Sequence, residues 1–198
     1  MKWRLKSVLL CLVLGQSVQA QSVEYGGAQK MMPPITIDPR CQMSVSSPEI
    51  DFGEMSAGQL QELPGGRKLS PGKRTLTLSV SCPFSQPMRL MLRGERATNG
   101  EVRYGSKGSV ELRMLDAQLD GQTIGLAIES DDRRRHRAGR PDVVLKPGDE
   151  VIAVRDGQPA RGKNFSARID VEPVLPERAT RVPARETSTA MMVLELIE

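Results

Sequence analysis

The sequence predicts an all-β domain, a sandwich or a barrel. No segment repeats its apolar residues with the 3.6-residue period of a helix; short runs alternate apolar and polar residues instead. These runs are bounded by Gly, Pro, Asn and Asp, the residues that make turns between strands. A pair of cysteines, Cys41 and Cys82, offers a covalent tie between two of the runs.

The N-terminal stretch is read first, because it sets the compartment. Lys2, Arg4 and Lys6 precede an apolar run from Val8 to Leu14, and "SVQA" follows with Val18 and Ala20 at the small-residue positions. This is the pattern of a secretory signal peptide, residues 1–20, cleaved after Ala20. The apolar run is far short of the roughly 20 residues a membrane span needs. Setting aside Lys2, Arg4 and Lys6 reduces the 28 basic residues to 25, against 24 acidic ones. Such a balance argues against a nucleic-acid partner, which calls for a basic excess. Cys41 and Cys82 are the even pair of an exported chain and are expected to form one disulfide. Closing that loop is worth roughly 4 kcal/mol through the unfolded state.

The elements follow in order. Residues 21–40 read as an arm, and residues 41–198 as the domain. "TLTLSVSC" turns Leu76, Leu78 and Val80 to one face and runs into Cys82. "MRLMLRG" from Met88 supplies another strand. "SVELRML" sets Val110, Leu112 and Met114 against Glu111 and Arg113, and Asp120-Gly121 offers a hairpin turn. Asp131 to Pro141 is a charged loop. Asp142 onward gives two strands around a turn at Lys146-Pro147-Gly148-Asp149, with another turn at Asp156-Gly157. "FSARIDV" points Phe165, Ala167, Ile169 and Val171 inward. Residues 172–186 hold three prolines and are expected to form an irregular connection. The last strand, "AMMVLELIE", is apolar on both sides: Ala190, Met192, Leu194 and Leu196 on one, Met191, Val193 and Ile197 on the other. Solvent is not expected to be its resting neighbour. Phe52, Phe84 and Phe165 sit in patterns that predict core.

Motifs for catalysis are weak. The chain's one histidine, His136, stands in the Arg-rich loop without the fixed partners a Ser–His–Asp triad requires. "SPGK", Ser70 to Lys73, matches S-x-x-K, but Pro71-Gly72 predicts a turn where that motif needs a helix. "GEVRYGSK" from Gly100 has Ser and Lys in the wrong order for a phosphate loop. "NFS" at Asn164 is a glycosylation sequon at the start of a predicted strand. With Cys11 inside the signal peptide, the two remaining cysteines, with no nearby histidine, do not make a zinc site, and no cofactor motif is present. Arg133, Arg134, Arg135, Arg137 and Arg140 form a loop able to take a polyanion, though Asp131 and Asp132 offset part of its charge.

Together these pieces resemble the pilin subunits of bacterial chaperone–usher fimbriae. The resemblance rests on Cys41, the following "EIDFGEM" with Asp51-Phe52-Gly53, "LTLSVSC" ending at Cys82, and the last strand. It spans most of residues 21–198. Ile197 stands where many of these pilins have Tyr, and the arm carries Pro33-Pro34, which resembles a divergent branch such as the β-fimbrial type. The resemblance implies an incomplete immunoglobulin-like sandwich whose hydrophobic groove borders the last strand, at Met192, Leu194, Leu196 and Ile197. It also implies a donor strand in the arm. There Val23, Tyr25, Gly27, Met31, Ile35 and Ile37 fall on one side of an alternating register. The implied partners are a periplasmic pilus chaperone, an outer-membrane usher and other fimbrial subunits. The implied role is a non-enzymatic fibre subunit, in the periplasm in transit and then at the cell surface. A second reading is a self-contained immunoglobulin-like binding module, adhesin-like, acting through Arg133 to Arg140. A third, a secreted serine acyltransferase using Ser70 and Lys73, is disfavoured by the turn at Pro71-Gly72.

Overall fold

A computed structural model gives the fold and describes residues 40–129, 139–180 and 186–197. Alternation becomes fourteen strands: β1 (Gln42–Val45), β2 (Gln61–Glu62), β3 (Lys68–Ser70), β4 (Arg74–Pro87), β5 (Arg89–Gly94), β6 (Val102–Tyr104), β7 (Gly108–Leu119), β8 (Gln122–Thr123), β9 (Gly125–Glu129), β10 (Asp142–Leu145), β11 (Glu150–Arg155), β12 (Gln158–Pro159), β13 (Arg161–Pro176) and β14 (Met192–Leu196). Two short 3-10 turns, Ala57–Gln59 and Glu177–Ala179, are the only helical elements among the described residues.

All strand pairs are antiparallel and divide into sheets of nine and five strands. The protein is an all-β sandwich. In the larger sheet β13 is flanked by β4 and β7, and β1 pairs with β4 at the edge. In the smaller, β11 lies between β5 and β9, and β14 pairs with β5 at the edge. The period-2 pattern sets the core. Leu78, Val80, Val110, Leu112, Met114, Phe165, Ala167 and Ile169 from the larger sheet meet Leu90, Leu92, Leu126, Val151 and Ala153 from the smaller in one apolar cluster. Each buried Leu or Ile there is worth about 1.5–3 kcal/mol.

The turns are those expected. Asp120 and Gly121 have φ of 51° and 77° between β7 and β8; Asp156 and Gly157 have 52° and 74° between β11 and β12. Two successive positive φ values make the mirror-image turn whose twist suits a tight hairpin. At the Pro147-Gly148 turn, the Asp149 N–H donates to the Lys146 carbonyl at 2.9 Å. Cys41 and Cys82 are bridged, with an S–S distance of 2.12 Å, one position beyond the Gln42–Ser81 pair of β1 and β4. A disulfide fits an oxidising compartment.

Three expectations are corrected. Phe84 is 64% exposed, not core. Ser81 pairs with Asn164 and Gln86 with Gly162, so β4 spends Cys82 to Ser85 opposite Lys163 alone. The excess bulges outward and carries Phe84 with it. Residues 172–176 are not an irregular connection but the end of β13. β13 leaves β4 at Val171 and meets β3 at Leu175, and Pro173 falls between, where one flank carries no ladder. Lastly, β14 is not shielded from solvent on both sides: Val193 is 57% exposed and Met191 just before it 87%, both at the rim of a groove.

Candidate functional site

The two edge strands face each other across an opening. β1 borders one side and β14 the other, and between them runs a groove of about 1860 Å³. Among the described residues, β1 has only β4 as a partner and β14 only β5. Each therefore presents a row of backbone N–H and C=O groups with no strand on its outer flank, the arrangement on which a further strand can be templated. The floor is the inward face of the larger sheet, with Leu76, Leu78, Val110, Leu112, Ile169 and Val171. Met192, Leu194 and Leu196 of β14 are half-buried and pack against the core from the other sheet.

Local chemistry holds both lips in place. β1 ends where the Ser46 N–H donates to the Thr77 carbonyl and the Ser46 Oγ accepts from the Thr77 N–H, at 2.9 and 3.0 Å. The chain then leaves the sheet, and residues 47–57 run along the groove. Asp51 Oδ1 accepts the Gly53 N–H at 2.7 Å, and Gly53 has φ 72°. This Asx turn is what the Asp-Phe-Gly triplet makes; the Arg74 guanidinium lies 5.4 Å from the Phe52 ring centre. The other lip is anchored by the turn between β6 and β7. The Gly105 N–H donates to the Thr189 carbonyl at 2.9 Å, and Ser106 Oγ donates to Glu186 Oε1 at 2.8 Å. Gly105 has φ 58°, and a Cβ there would stand 2.6 Å from Ser188 Oγ, so glycine is required on both counts. Neighbouring Tyr104 lines the groove. Burial pushes its phenol pKa up, and the Asp51 carboxylate adds to the rise.

The sequence-derived sites fall as follows. Met192 and Leu194 line the groove; Leu196 packs against the core beyond it, and the Ile197 N–H pairs with the Arg89 carbonyl at 3.0 Å, neither of the two lining the groove. The donor-strand positions Val23, Tyr25, Gly27, Met31, Ile35 and Ile37 lie outside the described residues, as do Arg133, Arg134, Arg135, His136 and Arg137. Arg140 is described, and its backbone exchanges two hydrogen bonds of 2.8 Å with Leu126. Ser70 ends β3, fully buried, and its Oγ accepts the Gly72 N–H at 3.0 Å; Lys73 Nζ is 3.0 Å from Asp170. The pair is thus carried on a strand end and the turn after it rather than on a helix. Asn164 lies within β13, its Oδ1 accepting from Ser81 Oγ at 3.1 Å.

Sequence reasoning missed the β1 lip at Met43 and Val45, Tyr104, and the part played by residues 47–57. It placed Leu76, Leu78, Val110 and Ile169 on one face of their strands without assigning them to the groove. Alternation reveals which way a side chain points, but not whether the facing sheet extends far enough to cover it.

No family model matches the chain. Among curated proteins it is similar to YhcE of Escherichia coli (strain K12), described there as uncharacterised. The two are 23% identical over 158 residues, 78% of this chain and 87% of that protein.

Proposed function

We propose that this protein is a structural subunit of a surface fimbria of the chaperone–usher type, and that its groove accepts a strand from another chain. The observation that carries the reading is the apolar groove between β1 and β14, two edge strands of facing sheets each paired on one side only among the described residues. An inserted strand would pair its backbone along these edges and drop alternate side chains onto Leu76, Val110 and Ile169, which gives affinity and register together. Before assembly a periplasmic chaperone fills the groove, and an outer-membrane usher exchanges it for the arm of the next subunit. The arm's alternating residues, Val23 to Ile37, supply side chains of the right kind. The disulfide and the N-terminal pattern agree with export.

The test uses the chain lacking residues 22–37 and a synthetic peptide of residues 21–38. Saturable binding with protection of groove amides from hydrogen exchange is expected. Binding should be lost when Val23, Tyr25, Ile35 and Ile37 of the peptide are replaced by Ser. Equal binding of both peptides would overturn the reading.

A further inference from the structure

Methionine is unevenly placed in this fold. Met88 and Met114 are 1% and 0% exposed, in the core. Met43, Met55 and Met191 are 38%, 42% and 87% exposed, and all three line the groove. They are half of the large exposed apolar side chains among the described residues, and the half-buried Met192 lines the same groove, so accessible thioether among those residues concentrates at the rim. Leucine would supply equal apolar surface; a thioether adds a reactive sulfur.

We propose that Met43, Met55 and Met191 form an oxidisable rim, at which a peroxide oxidant turns the groove from apolar to polar. The sulfur lone pair attacks one oxygen of hydrogen peroxide. An S–O bond forms and the O–O bond breaks; the transferred OH gives its proton to the departing hydroxide, which leaves as water. The thioether is oxidised by two electrons and the peroxide reduced by two, and thiol-dependent sulfoxide reductases reverse the change. Each sulfoxide places a strong acceptor where an apolar occupant must pack, and the occupant's apolar side chains have no donor for it. The consequence for fibre assembly rests on the donor-strand reading above. The selective oxidation rests only on the exposure and position of the three side chains.

The experiment treats the purified chain with dilute hydrogen peroxide, removes the oxidant, and maps every methionine by peptide mass spectrometry. Groove polarity is read with 8-anilinonaphthalene-1-sulfonate, an anionic dye whose aromatic rings fluoresce on apolar surface. Met43, Met55 and Met191 are expected to gain oxygen while Met88 and Met114 stay unmodified, and dye affinity to fall about tenfold, the effect of two or three acceptors added to an apolar rim that the bound dye covers. The triple variant Met43→Leu, Met55→Leu, Met191→Leu should keep its dye affinity through the same treatment. The single variants Met43→Leu and Met55→Leu should each show partial protection. Oxidation of the core methionines at the same rate, or an equal loss of dye affinity in the triple variant, would overturn the proposal. Failure of the residue 21–38 peptide to bind the untreated chain would count against the donor-strand reading instead, since mapping and dye do not depend on it.

Discussion

Asp170 shows how one side chain is held between opposing effects. Burial raises its pKa, but hydrogen bonds from Thr75 Oγ1, at 2.6 Å, and from Lys73 outweigh it, so the carboxyl titrates below its ordinary value. A depressed folded-state pKa stabilises the fold at pH values above the ordinary carboxylate range. That stabilisation is lost as pH falls through the folded value. Asp170→Asn should therefore cost about 1–2 kcal/mol at neutral pH, and the difference from wild type should vanish in strong acid. Urea unfolding of both proteins at the two pH values measures it. Gly105 makes a steric prediction. Gly105→Ala combines a positive φ with a Cβ 2.6 Å from Ser188 Oγ, and should destabilise by about 1–3 kcal/mol. Ser188→Gly in the same chain should recover part of the loss, because it removes the clash but not the φ strain. An additive double mutant would show that close approach is not the cause.

At the scale of the element, β14 has two unlike faces. Leu194 packs against the core beside the groove, whereas Val193 is 57% exposed and flanked by the Arg93–Glu195 pair at 2.9 Å. Leu194→Asp puts a carboxylate against apolar neighbours and should cost about 3 kcal/mol or more, with loss of soluble protein. Val193→Asp should stay within about 0.5 kcal/mol of wild type. Thermal unfolding of the pair decides the matter: similar effects at both positions would show that β14 is buried on both faces, as its composition alone suggests. The Arg93–Glu195 pair is about half exposed on both sides and contributes little in solvent.

For the whole molecule, the open groove and the disulfide control different properties. Cys41→Ser with Cys82→Ser releases a loop of 41 residues and should lower stability by up to roughly 4 kcal/mol while leaving the strand order intact. Denaturant titration of oxidised and variant protein reads this directly. Deleting Ser22 to Ile37 should leave the sandwich folded but stop one chain from entering the groove of the next. Sedimentation of the full chain should then show concentration-dependent assembly, absent from the deleted chain and not restored by mixing deleted chains together. Assembly of the deleted chain at the same concentration would place the donated strand elsewhere.

Much of this was legible in the chain. The strands β4, β5, β7 and β13, the turns at Asp120-Gly121, Lys146 to Asp149 and Asp156-Gly157, and the inward set Leu78, Val110, Leu112, Met114, Phe165 and Ile169 follow from alternation and turn chemistry, which are local properties. The Cys41–Cys82 pairing followed from their being the two cysteines beyond the leader-like segment. Phe84 was misread because a bulge in β4 depends on how many residues β13 sets opposite it. The groove was implied only by resemblance. Period-2 patterning states that Leu76 and Val171 point inward; it does not state what lies across from them. That β1 and β14 end up as facing edges among the described residues follows from pairings between residues as distant as Leu90 and Leu196. Such pairings join segments far apart in sequence, and only the assembled sheets bring them together.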